Sequence, residues 1–388
     1  MSASIVKMQA KGPRSQVKFI SDSFLKPKTS FSDSTKNGIK MKPYTALATV
    51  MVCLILTLPM LTTRALCREL TIMTHDSFSM SKSVLEDFKT AVGADITILR
   101  SGDAGQALNK AILSKNNPMA DLFFGVDNTF IGRALDHDIF IAYTPTGFEN
   151  INTSLVLDAT NRLIPVDFGD VCLNYDIQWF KAKHLAPPSG LEDLLRPAYK
   201  DLTVVQNPAT SSPGLAFLLA TISRFGEKEY ISFWQKLKAN GVMVVNGWQE
   251  AYWGQFTAAS KGDRPIVVSY ASSPAAEVFY AEQKSTTAPT GVVIENQSAF
   301  RQIEFAGILK NSANTDLAKK AMDFLLSQKF QEDIPLQMFV FPANTKAKLP
   351  DVFLKHAKIT DAPASLPPEE IDRNRDKWLR EWTENLLR

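Results

Sequence analysis

From Glu69 onward the chain alternates short apolar runs with amphipathic stretches. LTIMTH (70–75) reads as a strand, and in SMSKSVLEDFKTAVG (79–93) the apolar residues fall at Val84, Leu85, Phe88, Ala91 and Val92. That is helical spacing with one face buried, and Gly93 supplies the stop. Ile96, Ile98 and Leu99 predict the next strand, a helix follows from Asp103, and a further strand ends at Gly125. Repeated β–α units of this length predict fold class α/β, with a mostly parallel sheet and helices on both faces. Two stretches break the rhythm. RLIPVDFGDVCLNYD (162–176) and QSAFRQIEFAGILK (297–310) are long and extended, as strands crossing between two halves would be. The expected organisation is therefore a hinged molecule, with 68–165 and 298–388 forming one lobe and 166–297 the other. Trp378, Trp382 and Leu386 recur every four residues near the C-terminus, predicting a helix over 367–388 docked on its own domain.

Several predicted strands end on small polar residues. In NPATSSPGLAFLLA (207–220) the upstream strand, Leu202 to Val205, runs into Ser211 and Ser212 as cap residues and Pro213 as the first helical residue. Gly214 is expected to keep that turn bare, so that backbone N–H groups face a hydroxyl or an anion. IVVSYASSPAAEVFY (266–280) repeats the pattern, with Tyr270, Ala271 and Ser272 leading to Ser273 as cap and Pro274. TILRSGDAGQALNKAIL (97–113) passes through Asp103 and Ala104, and DLFFGVDNTF (121–130) ends at Asp127 and Asn128. Any one of these alone reads equally as an ordinary capped helix. Together they predict a cleft for a small polar molecule, because ligands of open α/β sheets sit at the carboxyl ends of the strands.

Charge separates the N-terminus from the rest. Residues 1–40 hold seven Lys, one Arg and two Asp, and read as a disordered basic extension or a mis-assigned start ahead of Met41. Residues 41–67 have the form of a signal peptide: Lys42, then an apolar core from Ala46 to Leu61, then small residues near Ala65. The alternative is an uncleaved anchor, although the apolar run is short of the ~20 residues of a spanning helix. The full chain carries +3; with the +6 of 1–40 and the charges of Lys42 and Arg64 removed, 68–388 carries −5. An acidic body argues against nucleic acid as a partner. Cys53, Cys67 and Cys172 form no zinc spacing and no disulfide framework.

Candidate chemistry is thin. His75, His137, His184 and His356 fit no metal motif, and neither a nucleophile elbow nor a phosphate-binding P-loop is present. Ser79 to Lys82 spells S-x-x-K, the nucleophile motif of penicillin-binding proteins, without its companion motifs. Asp76, Asp103, Asp127 and Asp167 lie near predicted strand ends, where binding a cation or capping a helix needs no further group. The sequence describes a binder rather than an enzyme, with no cofactor and no metal.

THDSF (74–78), DLFFGVDN (121–128), IPVDFGDVCLNYD (164–176), NPATSSPGL (207–215), NGWQEAY (246–252), SYASSP (269–274) and FQEDIP (330–335) occur in one order across 69–388. In this the chain closely resembles the periplasmic thiamine-binding proteins of bacterial ABC importers. The resemblance implies a type II periplasmic-binding fold in a monomer, exported to the periplasm, that delivers thiamine or its mono- and diphosphate to a membrane permease and its ATPase. It also implies a cleft lined by Asp103 with Ala104, Ser211 with Ser212, Trp248, and Tyr270, Ala271, Ser272 and Ser273. Thiamine suits such residues: aromatic faces attract its thiazolium, an Asp accepts from its amino group, and helix starts take its hydroxyl or phosphate.

The chain departs from the family pattern at His75, Lys82, Ala276 and Phe339, where aromatics are usual, so the aromatic cage is expected to be thinner. Lys82 is expected to repel a bare cation and favour a phosphate. Asp76, Asp127, Asn128, Lys82 and Phe339 complete the candidate lining. Ferric iron is an alternative ligand for this fold, but iron receptors use adjacent tyrosines and here Tyr270 is followed by Ala271. A polyamine is a third choice, favoured by an acidic cleft. A serine-dependent enzyme, the alternative of another class, stands or falls on Ser79.

Overall fold

The computed structural model describes residues 68–281 and 286–388. The expected extension (1–40) and signal peptide (41–67) lie outside the described residues. Among the described residues no helix is long and apolar enough to cross a membrane.

The chain order begins β1 (Glu69–Thr74), α1 (Lys82–Val92), β2 (Asp95–Arg100), α2 (Ala104–Leu113) and β3 (Leu122–Asp127). Then come α3 (Ile131–Asp136), β4 (Phe140–Ile141), β5 (Ile164–Asp176), α4 (Ile177–Ala182) and β6 (Thr203–Gln206). The middle of the chain holds α5 (Ser212–Ala239), β7 (Met243–Val245), α6 (Trp248–Glu250), a π-helical turn over Ala251–Gln255, β8 (Ile266–Tyr270) and α7 (Ser273–Tyr280). The remainder is β9 (Thr290–Val293), β10 (Phe300–Leu309), α8 (Thr315–Leu326), α9 (Gln328–Gln337), β11 (Phe341–Pro342), α10 (Asp351–His356) and α11 (Pro368–Leu386).

Local sequence explains the elements. In α1, Val84, Phe88 and Val92 are buried, and Phe88 stacks on Phe324 of α8 with ring centroids 4.5 Å apart. Its start is Lys82 rather than the expected Ser79, because Ser81 caps it by accepting the Val84 N–H at 3.3 Å. Gly93 ends it at φ 72°, a left-handed turn that a side chain would strain. The C-terminal helix is α11, with Trp378 and Trp382 wholly buried and Trp382 set edge-on against Trp234 of α5. Burying each such ring contributes roughly 1.5–3 kcal/mol, which fastens the tail to the domain.

The main sheet runs β2-β1-β3-β10-β5-β8-β6-β7, with β4 added on β10 and β9 and β11 on β5. The expected mostly parallel sheet is corrected to a mixed one. β1 pairs in parallel with β2 and β3, and β6 with β7 and β8. The centre is antiparallel, because the two long strands β5 and β10 run against each other and against their outer neighbours β8 and β3. Both stretches expected to cross are these central strands. Their register brings Glu304 opposite Asp167 and Arg301 opposite Asp170. Asp170 is fully buried, accepts from Arg301 Nε at 2.9 Å and Nη2 at 3.1 Å, and also takes the Thr360 N–H at 2.7 Å.

Candidate functional site

Three chain segments converge on a buried group of carboxylates at the strand ends. The first is the turn between β2 and α2. Asp103 caps α2, its Oδ1 accepting the Ala104 N–H at 2.8 Å. Burial raises the Asp103 pKa, offset in part by the Ala104 N–H, His75 and Ser211. The second is the end of β3. Asp127 is fully buried and accepts from the Thr129 N–H at 2.7 Å, from the Thr129 hydroxyl and from the Ser212 hydroxyl. Burial outweighs these donors, with Glu304 adding to it, and pushes Asp127 up to about 6.

The third is the pair of central strands. Asp167 is driven well above the usual carboxylate range by burial and by the negative charge of Glu304. Glu304 goes the other way: burial opposes its charge, but His75 together with Asp167 outweighs that and holds it below its usual value. His75 Nε2 lies 3.2 Å from Glu304 Oε1, close enough for an ion pair but not aligned as a hydrogen bond. Burial works against the imidazolium, yet Glu304, then Asp103 and Asp127, raise its pKa above the ordinary histidine value. The ring sits where a Cβ on Gly125 would collide with it, so glycine at that point of β3 is a steric requirement. Asp167 is thus the protonated carboxyl and Glu304 the ionised one. Tyr270 faces the same group; burial and the charges of Glu304, Asp103, Asp127 and Asp167 keep it a neutral phenol, donating to Gln302 Oε1 at 3.0 Å.

The other expected residues divide between this group and its frame. Ser211 is buried beside Asp103, close enough to stabilise the carboxylate, while its Oγ has no aligned hydrogen-bond partner. The expected capping is corrected in part: Ser211 holds the cap position of α5 but makes no side-chain cap bond, while Ser212 is the first helical residue, with Pro213 second, and gives its hydroxyl to Asp127. Gly214 is corrected as well. A Cβ there would stand 2.7 Å from the Gln206 carbonyl oxygen, so the glycine serves close packing of α5 on β6 rather than a bare ligand turn. At α7 the cap position is Ser272 rather than Ser273, with no side-chain cap bond. Ser272 donates instead to the Phe339 carbonyl, and Ser273 shares a 2.9 Å hydrogen bond with Ser269. Ala271 is buried, its N–H on the Asp170 carbonyl.

Trp248 follows Gly247, whose backbone lies close to Asp103: a Cβ there would stand 3.8 Å from Asp103 Oδ2. Its Nε1 donates to Ser269 Oγ at 2.9 Å and its ring stacks on Tyr252, centroids 5.0 Å apart and planes 17° apart. Four weaker candidates are engaged differently or stand apart. Asn128 spends its amide on β10, accepting from the Ile303 N–H and donating to the Arg301 carbonyl, both at 3.0 Å. Asp76 is exposed and takes the Gly102 N–H. Lys82 is exposed at the start of α1, and its side chain makes no hydrogen bond or ion pair with a described residue. Phe339 holds φ 59°, a backbone conformation a bulky residue rarely adopts, with its ring edge-on to Tyr280.

Sequence reasoning did not single out Glu304, Gln302, Tyr252 or Glu277. Glu304 had a signal: an acid in the middle of the apolar run QIEFAGIL, where a charge needs a partner. Among the described residues no group of three or more His, Cys, Asp or Glu is arranged to hold a metal ion.

Comparison with known proteins gives the family and the fold. A sequence profile for the family described as bacterial extracellular solute-binding protein matches residues 117–361. The thiamine-binding periplasmic protein of Brucella melitensis is 31% identical over 323 residues, covering 81% of this chain and 91% of that protein. A solved periplasmic thiamin binding protein superposes with a TM-score of 0.72 at 26% identity, covering 82% of this chain and 96% of that one. The apo ferric ion-binding protein A of Pasteurella haemolytica superposes with a TM-score of 0.67 at 17% identity, covering 82% and 98%, a likeness of fold alone. The chain belongs to the bacterial extracellular solute-binding proteins, receptors rather than enzymes, and has the type II periplasmic-binding fold they share with the periplasmic thiamine-binding proteins.

Proposed function

We propose that this receptor captures thiamine, or its mono- and diphosphate, in the periplasm and hands it to the permease and ATPase of an ABC importer. In this reading a signal peptide exports the chain, and the monomer works as two lobes, 68–165 with 298–388 and 166–297, hinged near 164–172 and 297–303. The observation that carries the reading is that Gly247, the residue before Trp248, backs close to the Asp103 carboxylate, so that Asp103 and Trp248 belong to neighbouring turns. A flat cation bearing an exocyclic amine is matched by that pair: the ring system stacks on the indole and the amine donates to the carboxylate. Tyr270, Ser211 and Ser212 supply polar groups around it, and the relatives' names point the same way.

A linear polyamine is the second reading, supported by the number of buried carboxyls, but it leaves the aromatic face without a task. Iron is less well matched, because Tyr270 has Ala271 and not a second tyrosine beside it. Mass spectrometry of whatever co-purifies with the protein from a periplasmic extract tests the reading. Thiamine or a thiamine phosphate is expected; a polyamine or a ferric complex in its place would overturn it.

A further inference from the structure

Behind Trp248 stands a second layer that touches no ligand position. Trp248 opens the single α turn of α6, which passes straight into the π-helical turn Ala251–Gln255, closed by the Phe256 N–H on the Ala251 carbonyl at 3.0 Å. Such π turns are uncommon and gather at functional sites. Tyr252, four residues after Trp248, lies parallel to it and is 2% exposed. Phe256 and Trp253 hold its flanks. Its hydroxyl donates to Glu277 Oε1 of α7, and Glu277 Oε2 accepts from the Thr290 hydroxyl of β9. One turn earlier on α7, Ser273 bonds Ser269, which receives the Trp248 indole N–H. The indole is therefore braced twice from one helix: at its edge through Ser273 and Ser269, and across its face through Glu277 and Tyr252.

We propose that Tyr252 and Glu277 are positioning residues for ligand capture, with Glu277 fixing the Tyr252 ring, Tyr252 setting the plane of Trp248, and the pair together selecting flat cationic heterocycles. This rests on the reading of Trp248 as the stacking face. Two effects add. A ring locked in place gives its stacking contact without losing freedom on binding. A phenol donating to a carboxyl is richer in electrons, which strengthens the attraction of the ring stack for a cation; burial raises the Glu277 pKa to about 7, and its ionised form adds negative charge one ring behind that surface. Both Glu277 oxygens are satisfied by hydroxyls, so the buried acid is tolerated in a place where an apolar residue would pack as well.

The test is a double-mutant cycle on thiamine affinity, read by calorimetry on Tyr252→Phe, Glu277→Ala, Glu277→Gln, Trp248→Ala and Trp248→Ala/Tyr252→Phe. Tyr252→Phe and Glu277→Ala are each expected to weaken binding by about threefold to tenfold, and Glu277→Gln, which keeps an acceptor, by less. On the Trp248→Ala background, Tyr252→Phe is expected to change affinity by less than about twofold. Should Glu277→Ala not fold, Tyr252→Phe, the loss of a single oxygen, carries the cycle. Affinities unchanged in the single variants, or an equal loss with and without Trp248, overturn the proposal. A parent protein that binds no thiamine overturns the reading of the site and this inference with it; a parent that binds while the variants match it overturns this inference alone.

Discussion

The Ser212 hydroxyl donates to the Asp127 carboxylate, tying the first residue of α5 to the last residue of β3, 85 positions away in the chain. In the proposed division these residues belong to different lobes, and their contact is then expected to act as a latch between them. Removing a hydrogen bond to a buried charged group costs about 1.5–3 kcal/mol. Ser212→Ala is expected to open the unliganded protein, seen as a larger radius of gyration by small-angle scattering, and saturating thiamine is expected to close it again. Identical scattering of parent and variant would show that Ser212 is not part of a latch.

Binding of a cationic ligand is expected to tighten as pH rises from 5 to 7. Asp127, at about 6 rather than its usual 3.8 in the unliganded fold, must lose its proton to face a cation. His75 is held above its ordinary value, burial opposing and Glu304 favouring its charge, and any positive charge it sheds as pH rises acts in the same direction. Glu304, Asp103 and Tyr270 face the same space, and none of them opposes this direction. The sign for stability is the reverse. The folded state holds the Asp127 proton more tightly than the unfolded chain does, so this group lowers stability above pH 6, and the cost fades as pH falls toward 3.8. Calorimetry at pH 5, 6 and 7 reads the affinity, and Asp127→Asn is expected to flatten its pH dependence.

The fastening of the central strands depends on Asp170. Its carboxylate is wholly buried and is held by Arg301 and the Thr360 N–H. Arg301→Ala leaves that charge without its counterion, a change that costs about 3–5 kcal/mol at buried pairs. Urea unfolding is expected to show a midpoint lowered to match, with the slope unchanged. A stability within error of the parent would mean the clamp contributes nothing net.

Gly214→Ala tests the packing of α5 on β6. The added methyl would press on the Gln206 carbonyl, and the strain of such overpacking is about 1–3 kcal/mol. Because Ser211 and Ser212 sit in the same turn, thiamine affinity is expected to fall together with the melting temperature. Loss of stability with intact affinity would separate the helix start from the site.

Much of this was legible in the chain. The spacing of Val84, Phe88 and Val92 marked α1, the proline-bearing run at Ile164 marked β5, and the small polar strand ends marked where Asp103, Asp127, Ser211 and Tyr270 gather. These signals are local, set by period and by cap chemistry. What stayed hidden depends on partners distant in sequence. Nothing near Ser212 reveals that Asp127 takes its hydroxyl, nothing near Gly214 reveals the Gln206 carbonyl, and nothing near Tyr252 reveals Glu277. The mixed sheet was hidden for the same reason, since strand direction is decided by which strands meet at the centre.

Isothermal titration of the purified protein with thiamine, beside thiamine monophosphate, thiamine diphosphate, spermidine and ferric citrate, tests the central claim most directly. The account predicts saturable one-to-one binding of thiamine or its phosphates, weakened near tenfold by Trp248→Ala through the loss of about 1–2 kcal/mol of stacking on a cation. Saturable binding of spermidine or ferric citrate, with no heat from thiamine or its phosphates, would contradict it.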